Sequence, residues 1–213
     1  MLTLSAVATL FAGLALVLAL LVAFRPQLTR ARGGKIFAFI SLFVLPLLAS
    51  WTGGNEKMES SKETKFCLSC HVMEDFGRSL HVDDPSYVPA AHYQNNRIPR
   101  DQVCYSCHGD YTFFGGLNSK LRGVRHVYVQ YFGTVPKPEL IRLYTPFSNR
   151  ACLRCHEGAR SFDESAVHGQ DADLLRQFKS DAVSCISGGC HDIIHDIHGL
   201  QDVKFWKEAQ LWP

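Results

Sequence analysis

Four stretches of this sequence pair two cysteines with a histidine: Cys67-Leu-Ser-Cys70-His71, Cys104-Tyr-Ser-Cys107-His108, Cys152-Leu-Arg-Cys155-His156 and Cys185-Ile-Ser-Gly-Gly-Cys190-His191. They account for all eight cysteines of the 213-residue chain. Two thiols a few residues apart, followed at once by an imidazole, can form thioethers to the vinyl groups of one haem and ligate its iron from one side. Three motifs have the C-x-x-C-H spacing. The fourth is longer, and its Gly188-Gly189 pair lets the backbone turn tightly enough to keep both sulfurs near one macrocycle. The expectation is four covalently bound haem c groups. Structural zinc also uses C-x-x-C, but four motifs each ending in His fit paired knuckles poorly. A disulfide framework would suit eight cysteines in an export compartment, yet it leaves the histidines unexplained. Haem attachment consumes the thiols, so neither disulfides nor redox-active free cysteines are expected.

Iron has a second axial position. The motif residues His71, His108, His156 and His191 supply one ligand each, and six histidines remain: His81, His92, His126, His168, His195 and His198. Met73, two residues past His71, is a further candidate. Thioether ligation raises the haem potential relative to a pair of imidazoles. Its other role is to pack on the haem edge.

These groups need a scaffold that places them outside the cytoplasm, where haem attachment occurs. Residues 1–24 carry no charged side chain, enough to cross a hydrocarbon core of roughly 30 Å as a helix. A cleaved signal peptide would begin with a basic stretch, and Met1-Leu2-Thr3-Leu4-Ser5 has none. A second apolar run follows from Ile36 to Trp51, with Pro46 as a potential kink. The segment Arg25 to Lys35 between them is basic without an acid. Positive charge in a short loop marks the cytoplasmic side. The reading is a membrane anchor over 1–54, with spans at about 2–24 and 36–52 and a cytoplasmic loop at 25–35. A periplasmic tetrahaem domain then occupies 55–213, on the outer face of a bacterial inner membrane. Trp51 sits where an interfacial aromatic belongs.

The expected fold is mainly α with extensive irregular loops, little or no sheet, and haem as the hydrophobic filler. Leu121 to Phe132 reads as a helix, despite its β-branched valines. The stretch Asp83 to Arg100, with its prolines, and the stretch Gly133 to Ser148, with Gly133 and its prolines, read as loops. The formal charge of +2 omits the haem propionates. Arg122, Arg125, Arg150 and Arg154 have propionate pairing as their plain role, and nothing here points to nucleic acid.

From Phe66 to His198 the chain resembles the NapC/NirT family of membrane-anchored tetrahaem quinol dehydrogenases, which includes the NrfH-type subunits. The resemblance rests on Cys67-Leu-Ser-Cys70-His71-Val-Met73 and on the segment Lys120-Leu-Arg-Gly-Val-Arg125-His126-Val-Tyr128-Val-Gln-Tyr131-Phe-Gly133, which looks like the family's quinol-site helix. It implies that Met73 or His71 ligates haem 1 and that Lys120 is the basic residue of the quinol site. His126 stands where the family has an acidic residue, and either ligates haem 1 or accepts a quinol proton. By the same resemblance, His92 rather than His81 is the distal ligand of haem 3, His168 that of haem 4, and His195 or His198 that of haem 2. Two further departures are the second anchor helix and the longer fourth motif.

The implied function is oxidation of quinol from the membrane pool, with electrons relayed to a periplasmic reductase or multihaem cytochrome. A second reading is a non-catalytic electron-transfer subunit fed by another membrane respiratory subunit. Catalysis at an open haem, such as nitrite reduction, fits less well, because the spare histidines fill the sixth positions.

Overall fold

A helix in hydrocarbon must satisfy its backbone internally and can be apolar on every side. Helix α1 (Leu4–Phe24) meets both conditions, and the Thr3 hydroxyl caps it by accepting from the Ala6 amide at 3.3 Å. The computed structural model describes residues 3–143, 146–169, 172–187 and 189–207. Met1 and Leu2 of the first expected span, Tyr144 and Thr145 of the second expected loop, Gly188 of the fourth motif, and residues 170–171 and 208–213 lie outside the described residues. The chain divides into two compact units, Met1–Ser61 and Lys62–Pro213.

In the first unit a 3-10 turn (Pro26–Thr29) leads into α2 (Arg32–Phe39), a π-helical turn (Ile40–Val44) and α3 (Leu45–Ser60), with α1 packed along α3. The second hydrophobic helix is therefore one rod of 29 residues, Arg32–Ser60, longer than its apolar run. Two features extend it. Gly33 and Gly34 read as loop residues, but a Cβ at Gly34 would run into the Leu28 carbonyl, so glycine lets the helix start against the 3-10 turn. Pro46 lacks the N–H that would bond Leu42, and the wider π turn just before it absorbs the mismatch without ending the helix. Most side chains of both helices face outward, and both are long and apolar enough to cross a membrane.

The second unit joins short helices by long irregular connections: α4 (Thr64–Cys67), α5 (Glu74–Ser79), α6 (Val88–Gln94), α7 (Val103–His108), α8 (Gly115–Phe132), α9 (Arg150–His156), α10 (Arg160–Asp163) and α11 (Ala172–Lys179). Among the described residues there is no strand, and one antiparallel bridge pairs Val82 with Phe205. The expected loop from Asp83 to Arg100 contains α6. Pro89 reads as a breaker but occupies the first turn, where its missing N–H costs nothing. Helix α8 begins six residues before the expected Leu121. A Cβ at Gly115 would strike the Asp110 carbonyl, and the Asp110 amide donates to Ser119 Oγ at 3.0 Å, so the start of α8 is pinned to the end of the second motif.

Among the described residues no single core holds this unit together. Val82, Tyr87, Ala90 and Leu200 form one small cluster, Leu80, Tyr93 and Val103 a second, and Leu153, Phe162 and Phe178 a third. Polar staples supplement them. Buried Thr64 donates to the Arg100 carbonyl at 2.8 Å and accepts from the Val103 amide at 2.9 Å. Buried Asn149 donates to the carbonyls of Phe178 (3.0 Å) and Val183 (2.6 Å) and accepts from the Cys185 amide at 2.9 Å. Thr64 and Asn149 each stand three residues before the first cysteine of a motif. Thr64 thus ties the first motif to the second, and Asn149 ties the third to the fourth.

Candidate haem-binding and quinol site

Helical geometry sets the two cysteines of a C-x-x-C on one face, three residues apart, with the histidine one residue further on. Helices α7 and α9 carry Cys104, Cys107 and His108, and Cys152, Cys155 and His156, in this way. In the first motif Cys67 ends α4, and His71 and Met73 share one 3-10 turn, His71 exposed and Met73 half-buried. The longer fourth motif closes on itself. The His191 amide donates to the Cys185 carbonyl at 3.1 Å, and Gly189, at φ +85°, donates to the Asp192 carboxylate at 3.1 Å. Only glycine takes such a φ without strain.

The motifs are neighbours in chain order. A hydrogen bond from Cys104 pulls the Cys67 thiol down to about 7 against the effect of burial, with the Lys120 ammonium adding to the lowering, while Cys104 is pushed up. Cys152 and Cys185 form the same kind of pair, with Cys152 lowered and Cys185 raised. Cys155 and Arg154 lie within electrostatic reach of Cys107, and the Arg154 guanidinium sits 4.0 Å above the Tyr111 ring. The series runs first to second, second to third, third to fourth.

Three imidazole pairs stand across from one another. Ring centres are 6.4 Å apart for His108 and His195, 5.9 Å for His92 and His156, and 6.2 Å for His168 and His191. An iron bonded to two imidazole nitrogens at about 2 Å each separates the ring centres by about 6 Å. The residues present therefore fit an axially held iron. Among the described residues no three or more His, Cys, Asp or Glu side chains gather as a bare ion would require.

Hydrogen bonds turn two of these rings the right way. His92 Nδ1 donates to the Val88 carbonyl at 2.7 Å, which aims Nε2 away from the helix backbone. His195 Nδ1 lies 2.7 Å from Ser79 Oγ, whose own proton goes to the Phe76 carbonyl, so the ring must donate and presents a bare Nε2. Burial, and then the adjacent His108, push His195 down to about 4, which keeps it neutral. His195 holds φ +48°, a strained value for a residue with a Cβ. His168 Nδ1 is buried without a hydrogen-bond partner.

Other candidates fall elsewhere. His198 is exposed, and its backbone amide donates to the Asp196 side chain. The buried His81 ring lies 5.1 Å from Tyr93, and burial lowers its pKa. On α8 the Lys120 ammonium sits 5.2 Å over the Tyr105 ring and acts on Cys67. His126 is lowered by burial and by Arg125, and its charge bears on His108. Helix α8 thus presents Lys120 and His126 to the first two motifs. Reading the sequence missed Thr64, Asn149 and Ser79. The shared offset of Thr64 and Asn149 from a motif cysteine was the one available signal, and Ser79 had none.

A family model described as NapC/NirT cytochrome c family, N-terminal region, matches residues 30–200. The cytochrome c-type protein NapC of Escherichia coli (strain K12) is 26% identical over 167 residues, covering 72% of this chain and 78% of that protein. NapC of Haemophilus influenzae is 24% identical over 184 residues, covering 79% and 85%. The denitrification system component NirT of Stutzerimonas stutzeri is 23% identical over 178 residues, covering 78% and 82%. No solved structure matches the chain.

Proposed function

The chain belongs to the NapC/NirT cytochrome c family, and from that premise we propose that it is a tetrahaem quinol dehydrogenase that passes electrons to a periplasmic reductase or multihaem cytochrome. As a family member it is a membrane-anchored electron-transfer cytochrome with covalently bound haem. The observation that carries the quinol reading is the polar pair on α8, with Lys120 over the Tyr105 ring of the second motif and within electrostatic reach of Cys67 of the first, and His126 one to two turns further along.

Oxidation of a quinol releases two electrons and two protons and leaves a quinone. Haem, when bound, supplies the one-electron chemistry that carries the electrons away. The Lys120 ammonium donates to a quinol oxygen, orienting the ring and favouring loss of its proton. His126, when it is not itself a ligand, takes that proton and passes it on, and both protons leave to the periplasm. The pairs His108 with His195, His156 with His92 and His191 with His168 would each hold one haem iron. His71 or Met73, with or without His126, holds the fourth. The neighbouring cysteines of successive motifs support a relay in the order one to four.

Three measurements test this. The purified full-length protein is expected to reduce its own haems when given a soluble menaquinol analogue; no reduction would leave the second reading, a relay subunit fed by a partner, for which the additional helix Arg32–Ser60 offers a docking surface. A pyridine haemochrome assay should return four haems per chain, and three would mean that the long fourth motif is unoccupied. The basic segment Arg25 to Lys35 supports a cytoplasmic loop. A reporter active only in the cytoplasm, fused there, should be active, and activity of a periplasmic reporter at that point would overturn the topology.

A further inference from the structure

We propose that the outward face of α8 lies in the membrane–water interface as a second, non-spanning attachment of the haem unit. Leu117, Leu121, Val124, Tyr128, Tyr131 and Phe132 recur at three- and four-residue steps and are 53–78% exposed. At 100° per residue they share one arc of the helix. The 18-residue helix is about 27 Å long at 1.5 Å per residue, so this arc is a large apolar surface for a soluble domain to show water.

Charge selects the occupant. Helix α8 contains no Asp or Glu; Arg125 borders the apolar arc on one edge and Lys120 on the other, and Arg122 lies well outside it. An apolar face, a basic edge and tyrosines at the boundary match an anionic bilayer surface. A second copy of the same helix would set basic edge against basic edge. The chain is already anchored in the bilayer, so docking of α8 is intramolecular, and a modest patch suffices at that effective concentration. The proposal rests on the membrane anchor and deepens the quinol reading, because it brings Lys120, at the edge of the arc, to the depth at which a lipid-soluble quinol arrives, while His126 lies on the opposite face of α8, toward the second motif.

Haem attachment consumes the native thiols, so Leu121→Cys, Tyr128→Cys and Arg122→Cys each add one site for a nitroxide label. Each full-length holo-protein is labelled and reconstituted into phosphatidylethanolamine–phosphatidylglycerol vesicles. Collision with oxygen and with a water-soluble nickel chelate is then compared. Wild-type protein carried through labelling gives the background, and unaltered haem spectra show that each variant has folded. Positions 121 and 128 should favour oxygen severalfold over the chelate, and position 122 should show the reverse. Chelate access at 121 and 128 equal to that at 122 would mean the face is in water and would overturn the proposal. Labels shielded from both reagents would mean a protein or a second copy covers the face, which overturns it equally. Quinol-driven haem reduction in the same vesicles is read separately, so failure of the docking and failure of quinol oxidation are told apart.

Discussion

Lys120→Ala lowers the rate of quinol-driven haem reduction by about tenfold or more and leaves reduction by dithionite unchanged. Lys120 is half-buried, and its ammonium lies over the Tyr105 ring within electrostatic reach of Cys67. Removing a donor to a substrate oxygen in a poorly hydrated site costs about 1–3 kcal/mol, and each 1.4 kcal/mol is about a factor of ten in rate. Lys120 is no ligand to iron, so the haem spectra should be those of the wild type. His126→Ala should also slow the quinol reaction. It is a less clean variant, because loss of an axial ligand would shift a haem spectrum as well. Wild-type rates in both variants would move the quinol site off α8 and favour the relay-subunit reading.

The second large effect is on ligation. His195→Ala should convert one haem from low-spin to high-spin, seen as a new high-spin signal in paramagnetic resonance. His198→Ala should leave the spectrum as it is. The reason is orientation: the His195 ring faces His108 at 6.4 Å and is held there by Ser79, whereas His198 is exposed. A high-spin signal in His198→Ala alone would reverse the assignment. His168→Ala and His92→Ala should each act as His195→Ala does, on a different haem.

The choice between His195 and His198 shows what a sequence can and cannot carry. Both follow the fourth motif at reasonable spacing, and spacing does not separate them. What separates them is a backbone at φ +48°, which aims one ring inward, and a serine more than a hundred residues away that orients it. Neither has a local signature. The attachment motifs were legible because thioether chemistry demands a fixed local spacing. The apolar helices were legible because hydrocarbon demands an uninterrupted apolar run. Helix α6 is hidden because a proline such as Pro89 reads as a breaker, although here it sits in the first turn of the helix. The early start of α2 was hidden because Gly33 and Gly34 read as loop, although a Cβ at Gly34 would collide with Leu28. Which motif sits beside which was not legible at all, since Thr64 and Asn149 act across more than thirty residues.

The three small clusters of four, three and three buried residues have a consequence for the life of the chain in the cell. Ordering each residue of the haem unit costs about 1–2 kcal/mol of backbone entropy, and clusters of that size return little of it. A group that binds only the folded form stabilises it by mass action, and a covalent group cannot leave. Polypeptide made when haem is scarce would therefore stay open long enough for proteases, while each completed attachment removes cleavable segments from their reach. The amount of this protein in the membrane should track haem supply more closely than it tracks synthesis, with no reservoir of intact, haem-free chain waiting to be filled.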